Sequence, residues 1–233
     1  MKGVIFGQGI VDSVVLEDNT KVKGDFFIWA APLSHLFHLE NSISDEVLKA
    51  GRNLKFRGFL TCALILDRKN TFPDNWIYIH SPEVKLARIQ NFKNWSPYMV
   101  PDENKTCLGL EYFCNENDEF WNKSDEEIRI LGEEELRKIN LIPRDTKILD
   151  YKVERIPNAY PVYYPGYSRD LKVIKNFFEK ITNFYIIGRS GMYRYNNMDH
   201  SIYTGILAGR NIMGEENDIW RIGAEDDYLE EVG

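Results

Sequence analysis

The residue types best suited to chemistry gather between positions 184 and 212. FYIIG (184–188) is a strongly apolar run that reads as a strand, and it feeds RSGMYRYNN and then MDHSIYTGILAGRNI (198–212), which reads as a helix. Gly188 at the strand end frees the backbone to turn and to approach a ligand, and Asn196 and Asn197 are placed to cap the helix starting near Met198. The helix's unpaired amides and positive end then face the turn, where an anionic or electron-rich group is the natural occupant. Gly205, Ala208 and Gly209 are expected to let the helix approach a neighbour closely. The same glycines would equally serve an ordinary βα unit.

Other chemically capable residues lack supporting neighbours. His35 and His38 have no third ligand nearby, so no metal site is expected. His80 ends a strand-like run, and His200 falls in the first turn of the last helix, where capping or packing is the expected role and contact with a group bound in the turn the alternative. Ser190 and Ser201 lack the strand-Ser-helix elbow of a hydrolase. Cys62, Cys107 and Cys114 are odd in number and have no C-x-x-C spacing, which argues against zinc or dithiol chemistry and for a reducing compartment.

The positioning elements follow from pattern. IVDSVVL (10–16) and VKGDFFIW (22–29) read as neighbouring strands, the second ending at Ala30-Ala31-Pro32. Ser44 precedes a short helix, DEVLKAG, expected to end at Gly51. FRGFLTCALIL (56–66) is too continuously apolar for a surface strand and belongs inside a sheet. NWIYIH (75–80) and TCLGLEYFC (106–114) add strands, and SDEEIRILGEEELRKI (124–139) is a helix with capping-box spacing between Ser124 and Glu127. KILDYKVERI (147–156) reads as a strand. NAYPVYYPGYSRD reads as an irregular proline–tyrosine loop, followed by a helix in LKVIKNFFEKI.

Composition restricts the classes. In 233 residues, 43% hydrophobic and 28% charged is a globular balance, and no apolar run reaches the ~18 residues of a membrane helix. MKGVIFGQGIVDSVV has no secretory pattern, so a cytoplasmic location is expected, and the sequons at Asn94, Asn104 and Asn122 are read as chance. The net charge of −7 equals the excess in the tail, where eight acids from Glu215 onward face Arg221 alone. The rest is balanced and shows no basic stripe with aromatics, so nucleic acid is not an expected partner. Trp220 and Tyr228 are expected to fold part of this acidic tail back onto the body.

GRSGMYRYNNMDHSIYTGILAGRNI resembles the C-terminal flavin-binding segment of the FAD-dependent amine-oxidase superfamily, in particular its protoporphyrinogen-oxidase-like and UDP-galactopyranose-mutase-like branches. VKGDFFIWAAPL resembles that superfamily's strand leading to a proline near the cofactor, and KFRGFLTCALIL and NAYPVYYPGY resemble two substrate-side segments. The resemblance implies FAD as cofactor. Gly188 and Arg189 match its Gly-Arg near the flavin ribityl and pyrophosphate, and Asn197, Met198 and Asp199 match residues at the flavin ring edge. Arg57, Tyr160 and Tyr195 match mutase positions that hold a nucleotide-sugar diphosphate. Asn197 stands where true mutases carry an acid.

One element of that pattern is missing from the 233 residues: a strand, G-x-G-x-x-G and helix for the FAD pyrophosphate. Gly7-Gln8-Gly9 runs into strand-like residues and is no phosphate loop. The chain is therefore expected to be the C-terminal half of a flavoprotein, with a flavin-binding N-terminal half as its missing partner. The expected fold is α+β: partial FAD-domain strands (1–32), a mainly antiparallel substrate domain (33–157), a return to a Rossmann-like FAD domain with the flavin-edge helix (158–214), and the acidic tail (215–233). The implied activity is oxidation of a small organic substrate by hydride transfer to flavin. Two alternatives are a non-redox flavin-dependent nucleotide-sugar mutase and a non-catalytic subunit completing a partner's flavin site.

Overall fold

The computed structural model describes residues 1–41 and 43–223. The chain forms two compact units, one from Met1–Phe56 with Tyr160 onward and the other Arg57–Ala159. Residues 33–56 thus cluster with the first unit. The α+β class holds.

In the first unit, β1 (Gly3–Phe6) and β2 (Val11–Val15) form a hairpin around Gly7-Gln8-Gly9, and β3 (Lys21–Lys23) pairs antiparallel with β2. The run 22–29 is two strands rather than one. β3 stays with that sheet, while β4 (Phe27–Trp29) leaves it to lie parallel to β11 (Phe184–Ile186). Between them come α1 (Leu33–Leu36), β5 (Glu40–Asn41), which pairs parallel with β1, and α2 (Asp45–Asn53). Helix α5 (Tyr167–Phe178) precedes β11, then follow the short α6 (Gly188–Gly191) and α7 (Met198–Ile212). Val4, Trp29, Phe37, Phe178, Ile186 and Leu207 belong to the core these elements share. Trp220 packs against that core, with the Lys175 ammonium 5.9 Å from its ring, as expected of the tail. Tyr228 lies outside the described residues.

The second unit is a five-stranded sheet in the order β10-β6-β9-β8-β7, formed by β6 (Phe56–Leu66), β7 (Trp76–Tyr78), β8 (Arg88–Asn91), β9 (Thr106–Cys114) and β10 (Ile148–Pro161). β6 and β9 pair antiparallel from Gly58–Cys114 to Leu66–Thr106. Alternation places Leu60, Cys62, Leu64 and Leu66 in the core with Leu108, Leu110 and Tyr112. Helix α4 (Asp125–Lys138) adds Ile128 and Leu136 to that core, and its Ser124–Glu127 capping box forms as the spacing predicts. The short α3 (Phe92–Trp95) lays Phe92 over Gly109, where a side chain would collide with the ring. Two readings need correction. NAYP is not irregular but continues β10 to Pro161, with Asn158 at φ +55 absorbing the local irregularity, and α5 starts at Tyr167, before LKVIKNFFEKI. No helix among the described residues is long and apolar enough to cross a membrane.

Gly51 does not end α2, which continues to Asn53; it is small because the Phe37 ring lies against it, 2.0 Å from where a Cβ would stand. Gly209, expected to pack closely, faces open space among the described residues. Gly51→Ala should therefore lower unfolding free energy by about 3 kcal/mol through overpacking. Gly209→Ala, in an exposed helical turn, should be neutral or stabilise by up to about 1 kcal/mol. Urea denaturation of both variants checks the contrast.

Candidate functional site

The site begins where β11 ends. Ile187 donates its amide to the Trp29 carbonyl at 3.0 Å, and Gly188 then turns with φ +72 while its amide donates to Thr204 Oγ1 of α7 at 3.0 Å. A Cβ on Gly188 would meet no heavy atom of the described residues within 4 Å, so among them the turn borders open space. Gly191 is tight instead, with the Trp29 carbonyl 2.9 Å from its would-be Cβ, which fixes α6 against the end of β4.

Tyr193 follows with φ +51, a conformation unfavourable for an aromatic residue, and is 1% exposed. Its phenol compensates: the oxygen lies 2.6 Å from the Val162 carbonyl and 2.8 Å from the Lys55 carbonyl, and accepts the Lys55 amide at 3.2 Å. The Phe56 ring meets it edge-on at 5.1 Å. Burial pushes the Tyr193 phenol up to about 12. Pattern alone did not single out Tyr193, because it is one of thirteen tyrosines and its role depends on a backbone angle.

Two residues beyond it, Tyr195 is 56% exposed and its amide donates to the Tyr163 phenol at 2.7 Å. The Tyr160 and Tyr195 rings lie with their centres 5.8 Å apart and planes 24° from parallel. Arg189, expected on the cofactor side, lies across both, its guanidinium carbon 4.6 Å from the Tyr160 ring centre and 4.3 Å from that of Tyr195. Its Nη1 donates to the Asn196 carbonyl at 2.9 Å. Asn197 is the N-cap of α7, and its amide donates to His200 Nδ1 at 3.3 Å. Asp199 Oδ1 lies 3.3 Å from the same nitrogen. Met198 is 78% exposed.

Arg57 stands on β6 in the other unit and is exposed; its Nη2 donates to the Phe113 carbonyl at 3.3 Å, and its guanidinium carbon is 5.7 Å from that ring's centre. Glu111 is bound by Arg88 and Gln90, and Glu154 by Lys152.

Donors dominate the turn. The first amides of α7 have no intrahelical acceptor. Asn196 Nδ2, in a residue 4% exposed, and Trp29 Nε1 are buried without a hydrogen-bond partner among the described residues. Such orphaned donors suit an electron-rich ligand edge, and the open space at Gly188 suits its approach. Sequence reading treated Asn196 only as a cap and passed over Trp29. Among the described residues no cluster of His, Cys, Asp and Glu could hold a metal.

A family model described as flavin containing amine oxidoreductase matches residues 7–213. The chain belongs to this family. No curated protein matches it in sequence. Among solved structures it is similar to reduced UDP-galactopyranose mutase (TM-score 0.76, 18% identity, 91% of this chain and 45% of that one). It is also similar to a protein assigned as protoporphyrinogen oxidase from Exiguobacterium sp. (0.61, 15%, 81% and 41%) and to putrescine oxidase bound to putrescine (0.66, 13%, 92% and 48%). At these identities the likeness is one of fold, and the chain spans less than half the length of each. Family membership implies a flavin, whose electron-rich ring edge the donors around Asn196 and α7 fit.

The Tyr193 phenol gives a test of how this turn is held. A phenol whose folded pKa lies above its unfolded value keeps its proton longer when folded, so stability is undiminished below pH ~10 and falls as pH rises toward 12. Tyr193→Phe should cost about 1–2 kcal/mol at pH 7, from lost hydrogen bonding to the part-buried Lys55 and Val162 carbonyls. It should also flatten the decline above pH ~10. Denaturant unfolding from pH 7 to the alkaline limit measures both; equal slopes for the two proteins would refute the assignment.

Proposed function

We propose that this chain supplies the ring-edge and substrate-side portion of an FAD-dependent oxidoreductase that oxidises a small organic substrate. What carries the reading is the donor-rich start of α7 beside the open space at Gly188. When bound, FAD accepts the hydride, and that chemistry is the cofactor's own. Gly188 and Arg189 are assigned to the ribityl and phosphate side, and Asn197, Met198 and Asp199 to the ring edge. There the positive end of α7 and the Asn196 amide favour negative charge. Tyr160 and Tyr195 are assigned to the substrate, and Arg57, with its planar donor fork, is likewise proposed as a substrate-binding residue.

The reading includes a partner, a polypeptide carrying the dinucleotide-binding loop. An apolar stripe on α7, Met198, Ile202 and Ile206 at 78%, 59% and 47% exposure, supports it, as does Ile28 of β4 at 52%. A second reading, a flavin-dependent nucleotide-sugar mutase, is favoured by the meeting of Tyr160 and Tyr195 over a guanidinium and weakened by Asn197. Turnover of a UDP-sugar without net oxidation would select it.

The purified chain should be colourless and lose added FAD on desalting, because the two phosphate charges lack an amide cradle. Co-expression with a G-x-G-x-x-G half from a family member should give a yellow complex with one FAD. Stoichiometric FAD on the chain alone would overturn the division of labour, and a colourless complex would overturn the flavin reading. A complex that binds FAD but oxidises nothing would leave the chain as a non-catalytic subunit.

A further inference from the structure

One cavity of the second unit is lined by no residue assigned to the flavin or to its substrate. Its volume is about 320 Å³, at the lower end of the ~300–1,000 Å³ that ligand pockets occupy, and Asn70, Thr71, Phe72, Asn91, Lys93 and Asn94 are among its walls. Those walls are held in place by the protein itself. Lys93 Nζ donates to the Lys69 and Lys105 carbonyls at 2.9 Å each and to the Glu103 carbonyl, joining the segment after β6 to the segment before β9. Asn94 Nδ2 donates to the Phe72 and Asp74 carbonyls at 3.0 Å each, and Asn91 Nδ2 donates to the Phe72 carbonyl at 3.0 Å and to Thr71 Oγ1 at 3.3 Å.

The groups left over define what fits. Asn91 is 2% exposed, and with its Nδ2 committed to a carbonyl its Oδ1 is an acceptor, one that has no partner among the described residues. A buried acceptor left unpaired is costly, so this wall calls for a donor. Among the described residues the Asn94 side-chain oxygen, both ends of the Asn70 amide and the Thr71 hydroxyl hydrogen are also unused. An anion is poorly served, because the three ammonium hydrogens of Lys93 are taken by carbonyls and another acceptor would oppose Asn91 Oδ1. A cation is opposed by the charge of Lys93 and of Lys69, which also lines the cavity. Hydroxyl groups, each a donor and an acceptor, match every open position, and Phe72 offers ring carbons an apolar wall.

We propose that this cavity binds a neutral polyhydroxyl ligand, a sugar ring or a cyclic polyol, through Asn70, Thr71, Asn91 and Asn94. The site is independent of the flavin reading, since no residue of the turn at Gly188 takes part in it. A free sugar and a sugar unit of a longer glycan present the same ring hydroxyls and differ at the anomeric oxygen.

The test is an NMR titration of the full chain that follows the side-chain amide signals of Asn91 and Asn94, with the buried Asn183 amide of the first unit as the reference that should stay in place. The probes are D-glucose, D-galactose, D-mannose and myo-inositol, with sodium sulfate and n-butylammonium chloride as ionic controls. At least one of the polyhydroxyl probes should shift the Asn91 and Asn94 signals saturably, and neither salt should. Where a sugar binds, its methyl glycoside separates the sources: retained binding identifies a unit of a glycan, and lost binding identifies a free sugar. Asn70→Ala changes an exposed residue and should weaken binding about fivefold, the loss of one ligand hydrogen bond, while leaving the urea midpoint unchanged. Thr71→Val should weaken it by a similar factor. The proposal is overturned if none of the polyhydroxyl probes moves the two signals, which would leave a cavity filled by water alone, if either salt moves them as strongly, or if both variants bind like the wild type.

Discussion

Everything in the first unit depends on β4 and β11 lying parallel, residues 27–29 beside residues 184–186, although more than a hundred and fifty positions separate them in sequence. A parallel pair has no hairpin to hold it and must be secured otherwise. Asn183 does so. Its buried side chain accepts the Val11 amide at 2.7 Å and donates to the Val11 carbonyl at 2.9 Å and the Asp25 carbonyl at 3.2 Å, while its own carbonyl takes the Phe27 amide. One amide side chain thus joins β2, the approach to β4 and the start of β11, all through groups that would be costly to bury unpaired. Phe178 and Phe184, stacked at 5.2 Å, fill the adjoining core.

With β11 fixed, the positions that carry the site follow. Gly188 can turn only because it tolerates φ +72, and Gly191 can sit against the Trp29 carbonyl only because it has no side chain. Tyr193 is held in the left-handed region by bonds to Lys55 and Val162, two residues adjoining the points where the chain leaves and re-enters this unit. Strain of this kind persists only where its surroundings over-determine it. The second unit has a different anchor. Glu135 of α4, 6% exposed, accepts the Lys85 and Leu86 amides and the Tyr112 hydroxyl, tying the segment before β8 and the face of β9 to the helix.

How much of this could be read from the residues depended on whether the signal was local. Helix α7 appeared with its bounds intact because an asparagine cap and an apolar period coincide there, and α4 because Ser124 and Glu127 sit three apart. β6 and β9 were legible as long apolar runs. β8, four residues of mixed type, was not, since its burial alternates only relative to β7 and β9. NAYP misled for the opposite reason: proline and asparagine argue against a strand locally, yet the sheet carries β10 through to Pro161. Gly51 was read as a helix stop because its real constraint, the Phe37 ring, lies fourteen residues away. Within the first unit, the Tyr193 clasp and the orphaned Asn196 donor depend on angles and burial that sequence does not display.

The distinction drawn from the sequence between cofactor residues and substrate residues is not preserved as a spatial one. Arg189 begins on the side assigned to the flavin, but Asn196, which carries the unpartnered donor beside α7, also holds the Arg189 guanidinium through its carbonyl, and that guanidinium lies on Tyr160 and Tyr195. The two ends of Asn196 therefore serve different sides, its amide group the helix start and its backbone oxygen the aromatic pair. A shift of this one residue would move both. Geometry set at a single rigid turn need not be coordinated between separate loops. The tight contact of Gly191, the clasp at Tyr193 and the capped start of α7 are what make that turn rigid.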